Sequence, residues 1–134
     1  MTFKLEKISQ INLPKGNILK LVKSNKNHSS FEMYISMINK NQIKAWKKHN
    51  LNKSEIFVIY GKVKFVFFNS KINKFESIIL NDKLLNKIII PKKTLYGFQN
   101  IFHTQSKILS FTFPRYNEKS VERKNIRDFS YDWR

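Results

Sequence analysis

The chain has 134 residues, of which 41% are hydrophobic and 14% aromatic, enough to build one core and too much for a disordered chain. It carries 26 Lys and Arg against 9 Asp and Glu, a formal net charge of +17, and no cysteine, which removes disulfides and thiolate metal sites from consideration. No apolar run approaches the ~20 residues needed to span a bilayer, and the opening Met-Thr-Phe-Lys-Leu-Glu-Lys lacks the apolar stretch of a signal peptide, so a cytoplasmic protein is expected.

Three Gly and three Pro punctuate the chain. Pro14 and Gly16 bracket a turn, and Ile18 to Val22 follows as a short strand with Lys20 inserted. Phe31 to Ile38 alternates, with Phe31, Met33, Ile35 and Met37 set against Glu32, Tyr34, Ser36 and Ile38. Glu55 to Phe68 carries the clearest period of two: Phe57, Ile59, Val63, Phe65 and Phe67 share one parity, and Tyr60, Lys62 and Lys64 the other. That period predicts a half-buried strand or a hairpin interrupted at Gly61. Phe75 to Leu80, Lys87 to Ile90, Leu95 to Ile101 and Lys107 to Phe113 continue the series, with one helical turn expected over Asn81 to Asn86. Short strands at regular spacing predict an all-β sandwich or barrel, a single domain over residues 1–134. The tail 117–134 is polar and mixed in charge. Phe129, Tyr131 and Trp133 alternate near its end, which predicts that it packs on the body or on a second subunit.

The basic balance has three readings: an ordinary charged surface, a polyanion-binding face, or a local basic pocket. Lys supplies 22 of the 26 positive charges and is spread along the chain. Lys, Asn and Ile all have AT-rich codons, so base composition accounts for part of the excess. Every Arg lies late, at 115, 123, 127 and 134, among Glu122, Asp128 and Asp132, where internal pairing is the simpler reading.

The order of segments resembles a known family. Lys44-Ala45-Trp46-Lys47-Lys48-His49 precedes the strand centred on Gly61-Lys62-Val63. Ile90-Pro91, Tyr96-Gly97-Phe98 and Tyr131-Asp132-Trp133 then follow. By order and spacing this resembles the dTDP-4-dehydrorhamnose 3,5-epimerases and their short relatives over roughly residues 15 to 133. The resemblance implies a cupin-type jelly-roll barrel (a double-stranded β-helix). The departures are specific. Lys44-Ala45 stands where Arg-Gly is usual, and Lys47 takes the place of the family's base histidine. His49 falls on the second motif position, and Ser54 or Glu55 lies near the active-site lysine. Phe65 lies near the dyad aspartate, and Tyr96 replaces a second histidine. Ser110 is close to the acid tyrosine, with Tyr116 its nearest substitute.

Epimerisation beside a ketone needs a base, an acid and a way to hold the enolate's charge. On a regular strand Lys47 and His49 share one face, with Lys44, Trp46 and Lys48 on the other. His49 is the better expected base, because histidine titrates near neutrality unaided. Lys47 would steady negative charge, and Tyr96 would donate a proton or contact the substrate. Lys44 and Tyr60 are expected at the substrate. Lys62 and Lys64 either face the cup as pyrophosphate ligands or face outward as edge-blunting lysines. Trp46 is read as core or interface packing. A metal is not expected, since His28, His49 and His103 are scattered, and no cofactor is expected. The implied function is a sugar-nucleotide isomerase or epimerase acting on a nucleotide-linked 4-keto-6-deoxy sugar in surface polysaccharide biosynthesis, working as a homodimer. The alternatives are a non-catalytic cupin that binds a sugar nucleotide or anionic glycan, and a nucleic-acid binder using Tyr60-Gly61-Lys62-Val63-Lys64-Phe65 as a stacking surface.

Overall fold

The computed structural model describes residues 3–22, 31–84, 86–114 and 118–134. Among these the strands are β1 (Ser9–Ile11), β2 (Ile18–Val22), β3 (Glu32–Ile38), β4 (Ile43–His49), β5 (Lys53–Tyr60), β6 (Lys62–Asn69), β7 (Lys74–Asn81), β8 (Ile88–Ile90), β9 (Leu95–Asn100), β10 (Ser106–Phe113) and β11 (Val121–Arg123). Two short 3-10 turns, Glu118–Ser120 and Ile126–Asp128, flank β11. The strands form a six-stranded sheet, β1-β2-β3-β10-β5-β8, and a five-stranded sheet, β11-β4-β9-β6-β7. From β3 onward the chain weaves between the two, and only the β6–β7 hairpin keeps it in one sheet for two strands running. The result is the all-β cupin-type jelly roll that the resemblance implies.

Two phases of the strand pattern differ from the expectation. β5 and β6 are separated by Gly61 alone yet belong to different sheets, so they are not a hairpin. Gly61 sits at φ +96°, and a Cβ there would lie 2.2 Å from Ser106 Oγ, so a glycine is required at this corner. The corner resets the parity. Ile56 and Val58 point inward before it, and Val63 and Phe65 after it. Phe57 therefore lies on the outer face, 6.0 Å from the Phe111 ring, and Ile59 is 44% exposed.

β3 is inverted in a second sense. Its buried residues are Glu32, Tyr34, Ser36 and Ile38, and the apolar parity of Met33, Ile35 and Met37 faces out, half-buried. The segment 81–86 holds no helix among its described residues. Asn81 Oδ1 instead accepts from the N–H groups of Lys83 and Leu84 in a turn.

The core divides in two. Between the sheets lie Ile38, Ile56, Val63, Phe65, Phe98 and Ile108, with others around them. On the far side of the five-stranded sheet, Trp46, Val66 and Leu95 are sealed by Phe68, Phe75, Phe129, Tyr131 and Trp133. Trp46 is 1% exposed, with ring centroids at 5.7 Å from Phe129, 6.3 Å from Tyr131 and 5.2 Å from Trp133.

Candidate functional site

The inward row of β3 and the start of β4 open onto a cavity of about 720 Å³ between the sheets. Its walls carry Tyr34 and Ser36 from β3, Tyr96 from β9 and Ser110 from β10, over an apolar floor of Ile56, Phe98 and Ile108. Six cationic side chains line it: Lys15, Lys20, Lys44, Lys47, Arg123 and Lys124. Among the described residues no Asp or Glu lines it. Glu32, next along the β3 row, is held by Lys20 at 2.6 Å.

β4 supplies two of these cations because it is irregular. Its register against β9 shifts between Ala45 and Lys47. A regular strand would send Lys44 and Lys47 to opposite faces; the shift puts both into the cavity and turns Trp46 outward onto the tail. Lys44 Nζ donates to Gly16 O at 2.9 Å and to Ser36 Oγ at 3.1 Å. Lys47 Nζ donates to the Tyr34 hydroxyl at 3.4 Å.

The electrostatics separate the two tyrosines. Burial works to raise the Tyr34 phenol, but the Lys47 ammonium, with Lys20 behind it, more than offsets this and brings it below the usual value. Tyr96 is raised to about 12, chiefly by burial, with the Lys47 charge pulling the other way. Burial disfavours the Lys47 ammonium, yet the facing Tyr34 and Tyr96 oxygens hold its pKa above the ordinary lysine value. Lys44 is lowered to about 8 by burial and by the cations of Lys47 and Lys15.

The expected site residues separate into two groups. Lys44, Lys47 and Tyr96 line the cavity. His49 is buried behind it, its ring stacked on Tyr96 at 6.3 Å between centroids. Burial, then the cations of Lys47 and Arg123, lowers its pKa to about 3, so it stays neutral at ordinary pH and is a weak base there.

Tyr60, Lys62 and Lys64 lie outside the cavity, which corrects the expected place of Tyr60 at the substrate and, of the two readings of Lys62 and Lys64, removes the pyrophosphate-ligand one. Val63 and Phe65 take the inward positions of β6, which leaves the intervening lysines on the other side. Lys64 sits over the Tyr131 ring at 5.0 Å, and Tyr60 is 46% exposed beside Phe102. The same parity breaks up the proposed stacking surface, because Val63 and Phe65 are fully buried. Glu55 is paired with Lys87, and Ser110 reaches the cavity wall. Arg115, Tyr116 and His28 lie outside the described residues.

Sequence reasoning missed Tyr34, Ser36, Lys20 and Arg123. The first three are polar or amphipathic positions of two neighbouring strands, and the alternation that sets them apart does not by itself mark a site. Arg123 had no local signal. It reaches the cavity because β11 pairs with β4, Arg123 opposite Lys47, and because Trp46 and Lys124 exchange backbone hydrogen bonds at 3.0 and 2.9 Å. Of the acidic residues near it in sequence, Glu122 pairs with Lys48, Asp132 with Arg134, and Asp128 caps the turn at Asn125.

The residues present do not fit a cupin metal. Among the described residues no three His, Asp or Glu side chains converge. No helix of the described residues is long and apolar enough to cross a membrane.

No family model matches the sequence. One curated protein, metacaspase-2 of Plasmodium falciparum (isolate 3D7), is 32% identical over 117 residues. That stretch is 86% of this chain, and the chain spans 6% of that protein's length. Among solved structures, the capsular polysaccharide assembling protein CapF of Staphylococcus aureus superposes with a TM-score of 0.79 at 10% identity, over 91% of this chain and 33% of that one. A dTDP sugar isomerase of Desulfovibrio desulfuricans G20 superposes with a TM-score of 0.69 at 22% identity, over 95% of this chain and 87% of that one. The oxalate decarboxylase of Lactobacillus farciminis gives a TM-score of 0.73 at 14% identity, over 87% of this chain and 33% of that one. The fold of this chain is thus the cupin barrel shared by these structures, as its resemblance to the dTDP-4-dehydrorhamnose 3,5-epimerase-like cupins implies.

Proposed function

We propose that the protein binds a sugar nucleotide in its barrel and acts as an isomerase or epimerase on a nucleotide-linked 4-keto-6-deoxy sugar, in surface polysaccharide assembly. The observation that carries this reading is the cavity's charge pattern. Six cationic side chains with no lining carboxylate among the described residues suit a pyrophosphate, and the apolar floor with two tyrosines suits a sugar ring. The fold likeness to a dTDP sugar isomerase supports the choice of nucleotide.

The choice of base and acid is supported by two titratable groups whose surroundings push them apart. Tyr34, lowered by Lys47, takes the proton beside the ketone. Tyr96, raised to about 12, returns one from the facing wall. Lys47 steadies the enolate between the steps, and His49 supports Tyr96 by stacking. In this reading the base role expected of His49 passes to Tyr34.

A homodimer is part of the proposal. The outer face of the six-stranded sheet carries Met33, Ile35, Phe57, Ile59, Leu109 and Phe111, half-buried or exposed, and a sheet apolar on both faces calls for a cover.

The test is deuterium wash-in at the carbon beside the ketone of a thymidine-diphosphate 4-keto-6-deoxy sugar. Exchange is expected, and Tyr34→Phe should slow it by about 10²-fold or more. Saturable nucleotide binding without exchange would favour the non-catalytic alternative. Absence of both would remove the sugar-nucleotide reading.

A further inference from the structure

We propose that Lys44 is a carbonyl-reactive amine, which condenses with the aldehyde or ketone of an anionic ligand in the barrel cavity to form an imine. The inference deepens the sugar-nucleotide reading by naming the group that takes the keto carbon, and it rests on that reading only for the natural ligand.

The geometry carries it. Lys44 enters the cavity because of the register shift in β4, and its Nζ is held from two sides. Gly16 O lies at 2.9 Å and Ser36 Oγ at 3.1 Å. The Gly16 carbonyl is itself fixed, since that backbone runs so close to β3 that a Cβ would lie 2.0 Å from Met37 O. A neutral amine has two hydrogens, which serve these two acceptors and leave the lone pair for a ligand. Among the described residues no carboxylate bonds Lys44. The charged groups that line the cavity with it are Lys15 from the loop after β1, Lys20 from β2, Lys47 from its own strand, Arg123 from β11 and Lys124 just after it, with the phenols of Tyr34 and Tyr96. A lysine that is desolvated beside other cations gives up its proton readily, which is how amine nucleophiles are activated. In keeping with this, burial and the charges of Lys47 and Lys15 bring Lys44 to about 8.

The step balances without another reactant. The Nζ lone pair attacks the carbonyl carbon, the C–O π bond opens, and the oxygen takes a proton. Loss of that oxygen as water, with both Nζ hydrogens accounted for, leaves the C=N bond. The imine acidifies the adjacent C–H, the bond that epimerisation must break.

The test uses pyridoxal 5′-phosphate, an aldehyde carrying a phosphate, at limiting concentration and pH 8. Borohydride reduction and peptide mapping by mass spectrometry follow. At that pH Lys44 is about half neutral while an ordinary lysine is well under a hundredth neutral, so Lys44 should be labelled at least roughly tenfold faster than exposed Lys71 or Lys92 in the same molecule. Thymidine diphosphate should slow that labelling, and Lys44→Arg should abolish it. Even labelling across the exposed lysines, or labelling centred on Lys47, would overturn the proposal. Calorimetric titration of the unmodified protein with thymidine diphosphate reports separately on the nucleotide reading. Labelling without nucleotide binding would sink that reading and leave this inference standing, and the reverse result would do the opposite.

Discussion

Each sheet turns one face to the barrel interior, and the outer faces differ. The five-stranded sheet is covered by its own chain. Phe129, Tyr131 and Trp133 fold back over Trp46, and the backbone of residue 124 pairs with that of residue 46. The six-stranded sheet leaves Ile59 at 44% and Ile89 at 57% exposure beside the Phe57–Phe111 and Phe31–Phe113 ring pairs. Local cover and function are therefore linked. The segment that hides the five-stranded sheet also brings Arg123 and Lys124 to the cavity, so sealing the outer core completes the inner site.

The sharpest way to break this arrangement is Trp46→Ala. The residue is fully buried at the centre of the aromatic cluster, and deletion of a buried large aromatic costs about 3–5 kcal/mol. The expected result is a lower denaturation midpoint with an unchanged m-value, together with early protease access to residues 124–134. If the tail stays protected, Trp46 does not hold it.

The interior can be tested with acid. His49 is lowered from an ordinary value near 6.5 to about 3, first by burial. Between those values the unfolded chain binds the extra proton, so stability falls as pH drops from 6.5 towards 3. The group's full contribution is of the order of a few kcal/mol. His49→Phe keeps a ring against Tyr96 and removes the titration. Its stability should therefore fall less steeply over that window, measured by urea unfolding at several pH values. An unchanged slope would place the titrating group elsewhere.

Most of the longer strands were legible in the sequence because short apolar or alternating runs survive in single segments, whereas the three-residue β1 and β11 were not. Ile18 to Val22 needed no tertiary information, and Leu95 to Ile101 ran only one residue past the strand's end at Asn100. The phase was not legible. Reading Phe57 and Ile59 in step with Val63 and Phe65 assumed one strand, whereas Gly61 turns the chain into the other sheet. In β3 the apolar parity was the natural choice for the core, and the inner wall of a binding cup is the place where that rule inverts. Lys44 and Lys47 were both named, but their shared face depends on a register shift that no local signal announces. Arg123 depends on 75 residues of intervening chain returning to β4, which is a long-range fact.

Phe111→Asp tests the cover on the six-stranded sheet. The side chain is half-buried on the outer face, opposite the inward row of Ser106, Ile108, Ser110 and Thr112. A charge there should leave the barrel folded and abolish self-association in sedimentation velocity. Apparent stability would then lose its dependence on protein concentration, an effect of about 2–3 kcal/mol when the protein is well above its dissociation constant. A wild-type protein that is already monomeric would refute the dimer.

The smallest effect is the most local. Arg123→Gln removes one fork from the cavity rim and spares the backbone bonds at residue 124 and the rings at 129, 131 and 133 that pack the tail on Trp46. A charged hydrogen bond to phosphate is worth about 1.5–3 kcal/mol, so affinity for thymidine diphosphate should drop roughly ten- to hundredfold. The control is Arg127→Gln, which removes the same charge from an exposed turn away from the cavity. With a net charge of +17, a general attraction for anions would weaken equally in both variants. A loss confined to Arg123→Gln would show that the segment covering the five-stranded sheet also contributes a specific contact to the cavity.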